Sequence, residues 1–356
     1  MPFRALLVAI LTIAGVAGMG RLLAVDNTGL FTWFSETSDR GSAATALNAP
    51  DLAPDGLSNA RKPTAPADNA LGFMLASVAD SYEQTIRYPE YSVPLTREQA
   101  LAYRGNRYQP VSLPLNGDGV FTVTLEKYRY TQHEEILVVA SLSGPQVVGN
   151  RLEAHLEATA TRTKAATTTL QATDDNGYFQ GTLQANGEPG EYRLIVEATV
   201  DGRPVRHAST LTIEPDLGDF EGVGEASIRG NDLVIPVSFE PRESGYYALS
   251  AQLMHNGNPI AHLQAEKRLA GSGSAIELRA HGTVLANRDI TGALQLKHLQ
   301  IQRLPARPGD RTDYAFGPEE GYTFTPPALD SLTDTPAGNP ESEQRAALLR
   351  QLAEKF

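Results

Sequence analysis

Between residues 111 and 323 apolar side chains recur at every second position, and that period decides the fold class. Phe121, Val123 and Leu125 alternate with Thr122, Thr124 and Glu126. Leu152, Ala154, Leu156 and Ala158 alternate with Glu153, His155, Glu157 and Thr159, and Tyr192, Leu194, Val196, Ala198 and Val200 mark a third run. Successive side chains of an extended chain point to opposite sides, so each run puts one face in a core and the other in water. Between the runs stand Asn116-Gly117, Asn176-Gly177, Asn186-Gly187, Asp201-Gly202 and Asn256-Gly257. Such pairs accept positive φ and are expected to close two-residue hairpins. Many short strands with these turns and no long helical period predict an all-β, antiparallel protein.

Residues 190–207 (GEYRLIVEATVDGRPVRH) echo 245–262 (GYYALSAQLMHNGNPIAH). The shared frame is G-x-Y-x-L, seven residues, then G-x-P-[V/I]-x-H. Gly190 and Gly245 read as bends at a strand start. Tyr192 and Tyr247 read as buried rings whose hydroxyls bond nearby backbone, and Leu194 and Leu249 as the core positions that follow. Gly202 and Gly257 close the turns, and Pro204 and Pro259 suit a strand start or edge. His207 and His262 share one frame position; they read as ordinary strand histidines, with a joint site as the alternative. The offset between the copies is half a sandwich, so the echo repeats a hairpin. The spacing predicts two tandem immunoglobulin-like antiparallel β-sandwiches, over 111–215 and 216–325, with a seam at the polar stretch Glu214 to Asp219.

The flanks differ. Arg4 precedes the apolar run 5–20 and Arg21 follows it, the pattern of an export signal. Residues 1–25 are therefore expected to be a signal anchor or a cleaved signal peptide, with membrane contact through 5–25. Residues 26–70 are poor in large apolar side chains and read as a flexible linker. Over 71–110 a short helical collar is expected. Leu71, Met74, Leu75, Val78 and Tyr82 would form one apolar face leaning on the β part, and Thr96-Arg97-Glu98-Gln99 has the capping-box pattern of a second helix. Residues 326–338 read as another linker and 339–356 as an amphipathic C-terminal helix. Asn339 would cap it, and Leu348, Leu349, Leu352 and Phe356 would form its stripe.

The chain has no cysteine, which removes disulfides, thiolate metal sites, cysteine nucleophiles and a lipobox anchor. Thirty basic residues face 42 acidic ones, a formal net charge of −12 spread along the chain, so no nucleic-acid surface is expected. His133-Glu134-Glu135-Ile136-Leu137 lacks the second histidine of a zinc protease helix and reads as a loop before a strand. Gly222-Val223-Gly224 lacks the third glycine of a dinucleotide fingerprint. Asp174-Asp175-Asn176-Gly177 has the oxygens of a calcium loop but alanine at position 185, where the late carboxylate belongs, and reads as a hairpin turn. No metal, cofactor or catalytic residue is assigned.

Tyr88 to Leu95 (YPEYSVPL), the KYRY at 127–130 and RLPARPGDRTDYAF at 303–316 resemble segments of uncharacterised bacterial envelope proteins. These are domain-of-unknown-function families with tandem immunoglobulin-like modules. The stretch 245–323 is also similar to accessory β-sandwich modules that trail secreted hydrolases. The resemblance implies fold and compartment, and Leu194 would stand where an antibody domain has a disulfide cysteine. The leading expectation is a non-enzymatic scaffold that binds another envelope protein. It would be exported and anchored on the periplasmic side of the inner membrane, or periplasmic or secreted if the leader is cleaved. A glycan-binding module is the alternative, with Tyr246, Tyr314, Phe316 and Tyr322 as candidate platforms; an unrecognised hydrolase is the third.

Overall fold

The computed structural model describes residues 70–144, 151–173, 177–271 and 273–355. The export segment, the linker before Ala70 and Asp174 to Asn176 lie outside the described residues. The described chain begins with helix α1 (Ala70–Ile86), strand β1 (Ser92–Pro94) and helix α2 (Arg97–Ala102). Two β-regions follow, and the protein is all-β in class.

The first region comprises β2 (Ser112–Pro114), β3 (Val120–Leu125), β4 (Arg129–Thr131), β5 (Glu135–Ser143), β6 (Arg151–Ala158), β7 (Lys164–Ala172), β8 (Tyr178–Gln184), β9 (Gly190–Val200) and β10 (Arg203–Glu214). They form one sheet in the order β2-β3-β5-β8-β7-β6-β9-β10-β4, antiparallel except where β4 runs parallel to β10. On β5 only Ile136, Val138, Ala140 and Leu142 are buried, as alternation demands. A single core takes Phe121, Val138, Leu156, Leu194 and Leu211 from strands far apart in that order, so the two halves of the sheet face each other.

The second region comprises β11 (Gly218–Val223), β12 (Ser227–Arg229), β13 (Asp232–Pro241), β14 (Gly245–His255), β15 (Asn258–Leu269), β16 (Ala275–His281), the short helix α3 (Gly282–Leu285), β17 (Leu294–Arg303), β18 (Asp313–Phe316) and β19 (Tyr322–Phe324). One sheet runs β1-β15-β14-β17-β18, with β19 also on β17; the other joins β11, β12 and β16 to β13. Ile235, Val237 and Phe239 of one sheet and Tyr247, Leu249 and Ile301 of the other enclose the second core. Helix α4 (Pro340–Lys355) ends the described chain.

Five local expectations change. First, the collar contains a strand. Ser92, Val93 and Pro94 pair with Leu263, His262 and Ala261, so the edge of the second region's sheet comes from chain that precedes the first region. Ser92 Oγ accepts the His281 backbone N–H, and Tyr91 OH donates to Asp232, which fixes that short edge. Second, α1 packs against α4. The least exposed sides of the pair, Gly72, Leu75, Ala79, Tyr82 and Ile86 on α1 and Ala346, Leu349 and Leu352 on α4, mark their seam. Small residues let the axes approach, and Arg350 pairs with Glu83 and Asp80 across the seam. Third, two of the Gly-containing pairs close two-residue hairpins: Asp201-Gly202 (φ 51° and 72°) and Asn256-Gly257 (48° and 75°), both type I′. Asn116-Gly117 sits in a longer connection, and Asn186-Gly187 joins β8 to β9, which do not pair. Fourth, neither Gly190 nor Gly245 uses a positive φ. The glycine the first tyrosine needs is Gly187, where a Cβ would lie 2.2 Å from the Tyr192 hydroxyl. Residues 326–338 are packed as well: Leu332 is buried in the second core, and the Asn231 amide bonds both N–H and C=O of Thr333.

Candidate functional site

The outward face of the six-stranded sheet of the second region is polar yet covered. Register places His262, Gln252 and Lys297 in one row across β15, β14 and β17. The next row reads Gln264, Ser250, Gln300 and Phe316, and the third Glu266, Ala248, Gln302 and Tyr314. Ser250, Gln252 and Gln300 are 7%, 2% and 8% exposed, although this face points away from the core. Helix α2 and its following residues lie over it. Tyr103 donates from its hydroxyl to Gln300 Oε1 (3.4 Å), and its ring sits 4.9 Å from that of His298. Leu95, bonded through its N–H to the Ile260 carbonyl, and Asn106, whose amide bonds both backbone groups of Arg129, bracket this cover.

Two bulges shape the face. On β15 the pairing slips between Leu253–Ala261 and Met254–Pro259, leaving Ile260 as an extra residue. Side chains alternate, so one extra residue turns everything beyond it over. His262 thereby pairs with Gln252 on the outside. On β17 a second slip leaves His298 in the left-handed region (φ 53°), a conformation costly for a residue with a Cβ. Burial pushes the His298 imidazole below its ordinary pKa and the His262 imidazole down to about 4; it pushes the Tyr103 phenol up to about 12. All three are neutral at pH 7. Both side-chain amide atoms of Gln252 are buried with no hydrogen-bond partner among the described residues.

The sequence candidates fall in different places. Tyr246 is 59% exposed, with the Arg268 guanidinium 5.8 Å from its ring centroid. Tyr314 lies under Arg129, 4.3 Å from the ring centroid, at the junction of the two regions. Phe316 ends the Gln264–Ser250–Gln300 row. Tyr322 packs on the second core and donates to the Phe220 carbonyl. Backbone register thus puts Tyr246, Tyr314 and Phe316 on the outward face and Tyr322 on the other. Tyr192 and Tyr247 are buried, and each donates to the carbonyl four residues upstream, Glu188 at 2.7 Å and Glu243 at 2.8 Å. Leu194 and Leu249 are in the two cores. His207 and His262 lie in different regions. His207 faces the first core, its Nε2 is 2.7 Å from the Val111 carbonyl oxygen, and its ring stands edge-on to Phe121. His133 is in the turn before β5, as its neighbours suggested.

Sequence reading missed the junction clamp. Glu214, 1% exposed at the end of β10, is paired by Arg129 of β4 and Arg311 of the β17–β18 connection. A buried carboxylate is tolerable when its lone pairs are filled, and here two guanidiniums fill them. It also missed the second apolar side of α1. Phe73, Met74 and Val78 are 74%, 63% and 52% exposed beside the α4 seam, and Leu348 of α4 is 56% exposed. Among the described residues no group of three His, Asp or Glu side chains is placed to hold a metal ion, and no helix is long and apolar enough to cross a membrane.

No family model matches the chain, and no curated protein matches it. Among solved structures it is similar to a DUF4785 family protein from Legionella pneumophila, at 15% identity and a TM-score of 0.40 over 60% of this chain. The chain spans 58% of that protein's length. Trypsin-activated α2-macroglobulin from Escherichia coli matches 55% of this chain and 15% of its own, at 11% identity and a TM-score of 0.22. Dimeric latent PorU from Porphyromonas gingivalis matches 61% of this chain and 20% of its own, at 9% identity and a TM-score of 0.20. All three are distant likenesses, and the first is itself a member of a domain-of-unknown-function family.

Proposed function

We propose that the chain is a non-enzymatic scaffold of the cell envelope, exported through residues 5–25 and tethered to the periplasmic side of the inner membrane. It displays two immunoglobulin-like β-sandwiches and binds another envelope protein. The sandwich reading is supported by the tyrosine hydroxyls at Tyr192 and Tyr247, each bonded to the carbonyl four residues earlier. That is the corner bond such folds use to fix the start of a late strand. The partner reading rests on one observation: α1 carries a second apolar stripe that α4 does not cover. A helix with apolar residues on two sides has more oily surface than one neighbour can remove from water. Met74 and Val78 stand four apart on α1, with Phe73 next in sequence and Leu348 exposed on α4, which suits the apolar face of an amphipathic helix on the partner.

A photo-crosslinking amino acid at position 73, used in intact cells, tests this. The expected product is one envelope protein joined through a helical peptide, lost when Val78→Glu and Leu348→Glu are combined. Capture of only lipid or polysaccharide, or capture unchanged by those charges, would contradict it.

A further inference from the structure

We infer that the outward face of the six-stranded sheet is a binding site for an uncharged oligosaccharide, held closed by α2 in this conformation. The inference is independent of the helix-pair reading and survives its failure. Its starting point is Gln252, buried to 2% with an amide donor and an amide acceptor that nothing in the described chain satisfies. Leaving such a group unpaired is expensive, and polar side chains are not buried on the outside of a sheet for packing alone. The neighbouring rows supply Ser250, Gln264, Gln300 and Gln302. A sugar hydroxyl both donates and accepts, so a vicinal pair matches the amide of Gln252 in both senses. Phe316 at the end of the Ser250–Gln300 row offers a ring for the apolar side of a pyranose. Within the rows across β14 and β17 the charged group nearest Gln252 is Lys297, half-buried, while amides and a hydroxyl make up the centre. The centre of the face thus offers amides and a hydroxyl, with Lys297 in the first row and Glu266 in the third as charges of opposite sign at its margins.

The cover is built to move. No residue of α2 is buried, Leu101 is 75% exposed, and the Thr96–Gln99 capping box makes the helix self-sufficient at its start. Leu95 and Asn106 hold its two ends, while Tyr103 reaches down to Gln300 and His298. The left-handed backbone at His298 keeps that imidazole against the Tyr103 ring. Tyr103 is thus the plug, and its ring occupies the space a sugar would take.

Calorimetric titration of the full chain in detergent with neutral hexasaccharides of glucose and of N-acetylglucosamine tests the site. A closed state taxes affinity by the fraction open, so Tyr103→Ala is expected to bind about tenfold more tightly than the parent. Adding Gln252→Leu, of similar volume, should then weaken binding by about tenfold or more. No binding by a folded Tyr103→Ala chain, or binding indifferent to Gln252→Leu, would overturn the inference. If Tyr103→Ala does not fold, amide exchange of the parent decides: saturating hexasaccharide should speed exchange across 96–103, and unchanged exchange there overturns it.

Discussion

The hairpins β9–β10 and β14–β15 share one sequence frame and one turn, yet their outer faces have opposite fates. In the first, Glu191, Arg193 and Thr199 face water, and Arg206 pairs with Glu197 at 3.0 Å on an open surface. In the second, Ser250 and Gln252 are buried although they point away from the core. Pairing in the first runs unbroken from the turn, so His207 sits opposite Val196 and faces the core. In the second the extra residue Ile260 intervenes, and the equivalent His262 sits opposite Gln252 and faces out. A frame of tyrosine, leucine, glycine and proline specifies turn and inner face. What covers the outside depends on a single bulge and on chain that arrives from elsewhere.

The largest effects should be the same in both hairpins, because their inner faces are alike. Leu194→Ala and Leu249→Ala each remove a fully packed side chain and should each cost about 2–5 kcal/mol, read from urea unfolding. A strong inequality would mean the two cores are not equivalent. Next in size is the effect of His262. The folded pKa of His262 is about 4 against 6.5 for the free side chain, so between those values the unfolded chain takes up a proton the folded one refuses. Its contribution is complete above pH 6.5 and is lost as pH falls toward 4, amounting to on the order of 3 kcal/mol. His262→Gln should flatten that part of the stability–pH curve, and a curve unaltered by the substitution would break the assignment. Smaller again, Tyr192→Phe and Tyr247→Phe should each cost about 1 kcal/mol for one lost hydroxyl bond, measured by the same unfolding. Smallest is Arg206→Ala: the guanidinium is exposed and its partner Glu197 only half-buried, so the change should be nearly neutral, within about 0.5 kcal/mol.

Much of this was readable in the chain. Alternation located strands of the first core, the echo of 190–207 in 245–262 located a hairpin of the second, Asp201-Gly202 and Asn256-Gly257 located the two turns, and Thr96 with Gln99 located the cap of α2. What escaped has physical reasons. Strand β1 is three residues long and ends in proline, too short for a period to register. The α1–α4 seam uses Gly72, Ala79 and Ala346, which carry little apolar signal; Met74 and Val78, which carry more, are outside it. Glu214 reads as a surface residue because its burial comes from a partner distant in sequence, Arg311, and Gln252 does because it alternates with the core positions of β14. The bulge at Ile260 has no local marker, so the facing of His262 could not be derived from the frame it shares with His207.

The chain has no cysteine, so a single introduced thiol reports one position without ambiguity. Maleimide labelling of Gln252→Cys against Thr199→Cys in the folded full chain tests the difference between the two outer faces. Thr199→Cys should react at the rate of a free thiol. Gln252→Cys should react at least about a hundredfold more slowly, and recover most of that rate when Tyr103→Ala is added. Equal rates at 199 and 252 in the parent background would mean that α2 does not close the sheet face.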